Sequence, residues 1–195
     1  MLLIKKILKE SIPILLLTTV GGVIAGVILE DMQTKLIEIP GLLVLLPAIL
    51  GMRGNISGAL GSRLSSALHL GLIEPRLSWN KTISDNVWAS IILNVMMSFF
   101  LGVVAYYVYE LAHSSGLTHF EEHASILKLI AISLIAGVLA GLILTLLTIA
   151  TAVFTFGHDI DPDNVLMPSL STVGDILTIF CLLIAVEFVT HIPYI

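Results

Sequence analysis

The sequence has 195 residues, 57% of them apolar and 12% charged, with a mean hydropathy of +1.05. A soluble domain carries about twice that share of charge, and nine Lys and Arg with 14 Asp and Glu are too few to cover a water-exposed globule, which excludes a soluble enzyme, a disordered chain and a basic nucleic-acid-binding surface. The single Cys181 excludes a disulfide framework or a cysteine zinc site within one chain, and the net charge of −5 rests on so few groups that their placement matters more than their sum.

A helix needs roughly 20 apolar residues to cross the hydrocarbon of a bilayer. Five stretches reach that size, Ser11–Leu29, Gly41–His69, Ile83–Tyr109, Ile126–Phe156 and Val165–Thr190, and the charged clusters separate them. The prediction is an all-α protein, an integral membrane bundle of five transmembrane helices forming one domain over 1–195, with no soluble domain.

The first stretch follows Lys5, Lys6 and Lys9. It is too long for a signal peptide and lacks a small-residue cleavage site before a polar mature sequence, so it reads as a retained helix. An odd number of spans puts the termini on opposite sides. Lys5, Lys6, Lys9, Arg76 and Lys81 fall on one side, Lys35 and Lys128 on the other. The positive-inside bias then predicts a cytoplasmic N-terminus and an external C-terminus. Gly22 and Gly26 here, Gly54 and Gly58 in the second stretch, and Gly137 and Gly141 in the fourth read as places of close helix approach.

The second stretch reads Pro47-Ala-Ile-Leu-Gly51-Met-Arg53-Gly54-Asn55-Ile-Ser57-Gly58-Ala-Leu-Gly61-Ser62-Arg63. Arg53 falls near mid-bilayer, where an arginine costs upward of roughly 2.5 kcal/mol unless paired or hydrated. The glycines and Pro47 also weaken the helical ladder, so this helix faces protein or water, not lipid. At 100° per residue, Gly51, Asn55, Gly58 and Ser62 share one face, and Arg53 lies 200° from Asn55. If Asn55 lines a path, Arg53 points away from it.

In the third stretch Asn94 and Ser98, one turn apart, read as bonding a neighbouring helix. The external segment that follows contains His119-Phe-Glu121-Glu122-His123, which departs from the His-Glu-x-x-His zinc pattern and reads as a solvated loop. Before the last stretch, Asp159, Asp161 and Asp163 lie on the cytoplasmic side. They either gather cations or cap the next helix, with Pro162 suited to its first turn. Arg63, Arg76 and Lys81 read as anchors at the cytoplasmic interface, in contact with membrane lipids.

The last stretch carries the one acid deep in the membrane, Asp175. Ser171, Pro168 and Asn164 lie within about 40° of it on a helical projection, a polar stripe on an apolar rod. An intramembrane carboxylate is by default a functional-site hypothesis, and its plainer alternative is an acid paired with Arg53. Glu187, farther along the same helix, belongs to the outer surface.

Pro47-x-x-x-Gly51-x-x-Gly54-Asn55, with Asp161-Pro162-Asp163-Asn164, Pro168 and Ser171-Thr172-Val-Gly174-Asp175, resembles the transmembrane domain of the MgtE magnesium channels and, more closely, the eukaryotic MgtE-like solute carriers. The resemblance spans nearly the whole chain. It implies a path for divalent cations, chiefly Mg²⁺, between two such domains, lined by the second and fifth helices, with Asp175 as the ion-binding residue. Asn55, Ser171, Thr172, Gly54, Asn164, Asp161 and Asp163 are the other candidate site residues. Bacterial MgtE channels carry a soluble helical domain and paired CBS domains ahead of this one. About ten residues precede the first helix here, so the expectation is of gating without them. The solute carriers hold two copies of the domain, so a homodimer is the simplest completion of a single copy.

Two other classes compete. Gly174-Asp175 matches half of the Gly-x-Gly-Asp signature of intramembrane aspartyl proteases, but position 172 is Thr and no second mid-membrane Asp is present to share a proton. A non-conducting membrane scaffold is the other alternative, and the deep polar stripe argues against it.

Overall fold

The computed structural model describes residues 2–76, 78–117, 123–158 and 162–192, with the backbone alone at 2, 3, 6, 10 and 162–164. Six helices follow in order: α1 (Leu2–Asp31), α2 (Gln33–Glu38), α3 (Leu42–His69), α4 (Lys81–Ser114), α5 (Ile126–Gly157) and α6 (Pro162–Thr190). All but α2 are long and apolar enough to cross a membrane, and there is no strand among the described residues. The fold is therefore an all-α bundle with five candidate spans.

The helices outrun the apolar stretches for local reasons. α1 begins at Leu2, ahead of Ser11, because no breaker intervenes and the exposed Lys5 and Lys9 can carry their charges outward on long stems. α4 starts behind Asn80, whose side chain accepts a hydrogen bond from the Ile83 amide at 2.8 Å, and it stops just before Gly116, which takes a left-handed φ of 70°. α6 starts at Pro162, a residue whose fixed φ suits a first turn. The short α2 is not visible in the hydropathy pattern; it forms as Met32 and Leu36 turn inward and become buried. Gly41 then reverses the chain at φ 86°, where a Cβ would also lie 2.8 Å from Leu129 Cδ1.

Contacts fix the helix directions. Arg63 meets Asn86 and Arg53 meets Asn94, so α3 and α4 are antiparallel. Gly61 lies beside Leu166 and Gly58 beside Met167, so α3 and α6 are antiparallel too. Thr172 reaches Thr18 and Ile176 lies beside Gly21, which makes α1 and α6 parallel. α5 occupies the centre, against α3, α4 and α6, whereas α1 leans mainly on α6 and has Ala25 as its one fully buried side chain among those described.

The core is divided into two apolar clusters. One gathers Leu42, Leu45, Ile49, Ala105, Leu129, Ile132 and Leu182, and the other Leu60, Leu64, Leu68, Ile83, Ile149, Leu166 and Leu170. Between them every helix of the central four changes character at one level: Arg53 and Ser57 on α3, Asn94 and Ser98 on α4, Gly137 to Thr145 on α5, and Ser171 to Asp175 on α6. A polar belt crosses the bundle midway along its length.

Glycines divide into those that touch a neighbour and those that do not. A Cβ on Gly102 would come within 2.6 Å of Ile130 Cα, a backbone atom that cannot yield, whereas Gly22 and Gly26 have nothing within 4 Å. The reading of Gly22 and Gly26 as a packed face is thus not met within the chain. Gly102→Ala is expected to destabilise the bundle by about 1–3 kcal/mol through overpacking. Gly22→Ala should be neutral or gain up to about 1 kcal/mol of helix propensity. Unfolding in mixed detergent micelles reads both; equal stabilities for the two variants would contradict the α4–α5 crossing.

Candidate ion site

The local sequence of α3 separates two opposite faces around Arg53. Met52, Arg53 and Ser57 are buried, while Gly51, Gly54 and Asn55 are exposed on the bundle surface. Arg53 is only 2% exposed. Its Nη1 donates to Asn94 Oδ1 at 2.6 Å and its Nη2 to Ser98 Oγ at 3.5 Å, both on α4. Asn94 and Ser98 therefore do bond a neighbouring helix, and the alternative pairing of Arg53 with Asp175 is corrected: the guanidinium turns toward α4 and α5, and Asp175 makes no hydrogen bond or ion pair among the described residues.

On the opposite face Gly54, Asn55, Gly58 and Ala59 of α3 and Met167, Leu170 and Ser171 of α6 line an open groove of about 280 Å³. The structure thus brings Gly54, Asn55 and Ser171 together. Because α3 and α6 are antiparallel, Gly51 and Asp175 each lie one turn farther along in the same direction and at similar depth. Asp175 is partly buried, at the rim beyond the groove. Thr172 is placed elsewhere: its hydroxyl donates to the Thr18 carbonyl at 3.3 Å, and its methyl fills the space left by Gly21 on α1. Asp161 lies outside the described residues, and so do the side chains of Asp163 and Asn164, although both of these sit on the first turn of α6.

Periodicity alone did not anticipate Met167 in the groove. Its thioether lies over Gly58, where a Cβ would meet sulfur at 2.8 Å; the small residue on one helix and the long flexible one on the other are the signal that was available. The remaining lining offers amide, hydroxyl and backbone oxygens. Among the described residues no group of three or more His, Cys, Asp or Glu is arranged to hold a metal ion. A lone carboxylate with neutral oxygens nearby suits a cation that keeps its water shell, not a closed site that strips it.

The charged ends are apart from this level. Lys35 pairs with Glu187 at one end, where Glu110 also accepts from His123 Nδ1 at 2.9 Å and from the Ala124 amide at 3.1 Å. His119, Glu121 and Glu122 lie outside the described residues. At the other end Arg63 Nε donates to Asn86 at 2.7 Å and Arg76 pairs with Glu74.

Residues 46–185 match the MgtE family, described as divalent cation transporters. The chain is 27% identical to solute carrier family 41 member 3 of Rattus norvegicus over 182 residues, 92% of this chain and 38% of that protein. It is 30% identical to solute carrier family 41 member 2 of both Mus musculus and Homo sapiens over 173 residues, 84% of this chain and 28% of each. The chain thus spans about a third of the length of these relatives. No solved structure matches it. A polar belt across four of the five apolar helices, and a family match that covers most of the chain, give one conclusion: this protein belongs to the MgtE family of divalent cation transporters.

Proposed function

We propose that the chain carries divalent cations, chiefly Mg²⁺, across the cell membrane along a path lined by α3 and α6 at the axis of a homodimer. The observation that carries this reading is the groove in which Gly54, Asn55 and Ser171 meet on the outer face of the bundle, with Asp175 one turn beyond. Lipid is a poor neighbour for Asn55, and the face is supplied with oxygen donors at mid-depth.

Mg²⁺ dehydrates reluctantly and is held through one or two carboxylates plus water. Two Asp175 side chains across a two-fold axis match its charge. Asn55 Oδ1, Ser171 Oγ and carbonyls near Gly51 and Gly54 accept hydrogen bonds from the water shell. Asp159, Asp161 and Asp163, in the segment that leads into and begins α6, gather cations by their charge, and Asn164 follows them in sequence. Thr172, committed to α1, shapes the wall and does not touch the ion. That commitment, in place of the glycine of Gly-x-Gly-Asp, also weighs against a protease. The basic residues at the start of α1 and in the α3–α4 link support a cytoplasmic position for that end and an external one for the end of α6.

Purified protein in liposomes tests the proposal directly. Mg²⁺ entry is expected, and flux driven by membrane potential alone, indifferent to Na⁺ and H⁺ gradients, would identify a channel, whereas dependence on either gradient would identify a coupled carrier. No flux under any of these conditions sinks the reading. Asn55→Leu is expected to lower flux about tenfold, the worth of one hydrogen bond of about 1–1.5 kcal/mol to the hydrated ion. Unchanged flux in that variant would remove Asn55 from the path.

A further inference from the structure

Arg53 is a cation buried in the middle of the bundle with only neutral partners. Its guanidinium bridges Asn94 and Ser98, acceptors one turn apart on α4, and its Nε has no partner among the described residues. The space it fills is supplied by α5. A Cβ on Gly141 would lie 2.5 Å from Nη1 and 2.5 Å from Asn94 Cγ; one on Gly137 would lie 2.9 Å from Nη2 and would overlap Ser98 Oγ. Three helices thus meet at this one side chain.

We propose that Arg53 is a positioning residue that sets the rotation of α3: held by Asn94 and Ser98 in the cradle of Gly137 and Gly141, it keeps Gly54 and Asn55 on the outer face beside Ser171. The inference rests on the reading of that face as the ion path. Arg53 and Asn55 are 200° apart on α3, so anchoring the first fixes where the second points. Turning α3 by one residue would move the guanidinium away from Asn94 and Ser98, its acceptors among the described residues, and a buried charge left unpaired is costly. Ile49 and Met52, on the same helix, are buried and hold its place in the bundle, and the guanidinium, whose hydrogen bonds are directional, adds the restraint on its rotation. The planar fork explains the choice of arginine, since it spans two acceptors on successive turns in a fixed geometry and a lysine ammonium does not.

The test is a cross-link within one chain, in a Cys181→Ala background, between Asn55→Cys and Ser171→Cys, which line the same groove. A membrane-permeant bismaleimide is used, so that the result does not depend on water in the groove, and mass spectrometry of the monomer band detects the product. The cross-link is expected in the parent, lost in Asn94→Leu and Gly141→Ala, and retained when Gly22→Ala, remote from the clasp, is introduced instead. Should Asn94→Leu fail to elute as folded protein, Ser98→Ala supplies the milder break, with partial loss expected. An undiminished cross-link in folded Asn94→Leu and Gly141→Ala, or in folded Ser98→Ala when it stands in, overturns the proposal. Mg²⁺ flux is read separately, in chains that keep Asn55 and Ser171: it should fall in Asn94→Leu and Gly141→Ala and hold in Gly22→Ala. A wild-type chain that carries no Mg²⁺ sinks the transport reading and leaves the clasp to be judged by the cross-link alone.

Discussion

Asp175→Asn is expected to abolish Mg²⁺ flux in liposomes while the protein folds and melts as before. The side chain is partly buried and makes no hydrogen bond or ion pair among the described residues, so the substitution breaks no internal contact and preserves shape. It removes the one formal negative charge among the described residues at the level of the polar belt. A unit charge about 4 Å from another is worth roughly 4 kcal/mol at an effective dielectric of 20, and a divalent ion doubles that before its own water competes. A loss of flux of about a hundredfold or more is the result expected from that scale. Flux is read with a magnesium-sensitive dye inside the vesicles, and folding by gel filtration and thermal melting. Wild-type flux from well-folded Asp175→Asn would remove Asp175 from the path.

The bundle was largely legible in the sequence because a bilayer leaves little choice. Runs of about 20 apolar residues must be helices, and the charges that separate them must be ends. Helix ends were less legible, because capping by Asn80 and the left-handed turn at Gly116 act within a single turn and leave no trace in hydropathy. α2 escaped for the same reason: its formation depends on Met32 and Leu36 finding a buried place against α3, a tertiary fact.

Within the belt, the 100° rule separated Arg53 from Asn55 correctly, since both lie on one continuous helix where angle alone decides. It could not name what Arg53 would meet. A polar pair at Asn94 and Ser98 and small residues at Gly137 and Gly141 were each visible, yet nothing in sequence spacing says that three helices bring them to one guanidinium. The same limit explains Thr172. On α6 it stands next to Ser171 and three residues before Asp175, and only the presence of α1 at Gly21 turns its hydroxyl away from the groove.

A parallel homodimer is the second large expectation, and it follows from what the single chain leaves uncovered. Gly51, Gly54, Asn55 and Ser62 of α3 and Ser171 of α6 are exposed, at a depth where lipid offers no hydrogen bonds and open backbone at the glycines invites close helix approach. A two-fold partner covers this face with a copy of itself and doubles the Asp175 charge without further sequence. Lys and Arg fall five against two between the sides, a bias that applies equally to both copies and so favours a parallel pair over an inverted one. Single cysteines at Asn55 and Ser171, in a Cys181→Ala background, should cross-link between chains. A cysteine at Gly22, on the outlying α1, should not. Co-reconstituting wild-type and Asp175→Asn chains at equal amounts should then lower flux below half of wild type, because mixed pairs hold one carboxylate where two are needed. Flux that simply scales with the wild-type fraction, from chains that elute as monomers, would mean that each chain holds a complete path by itself.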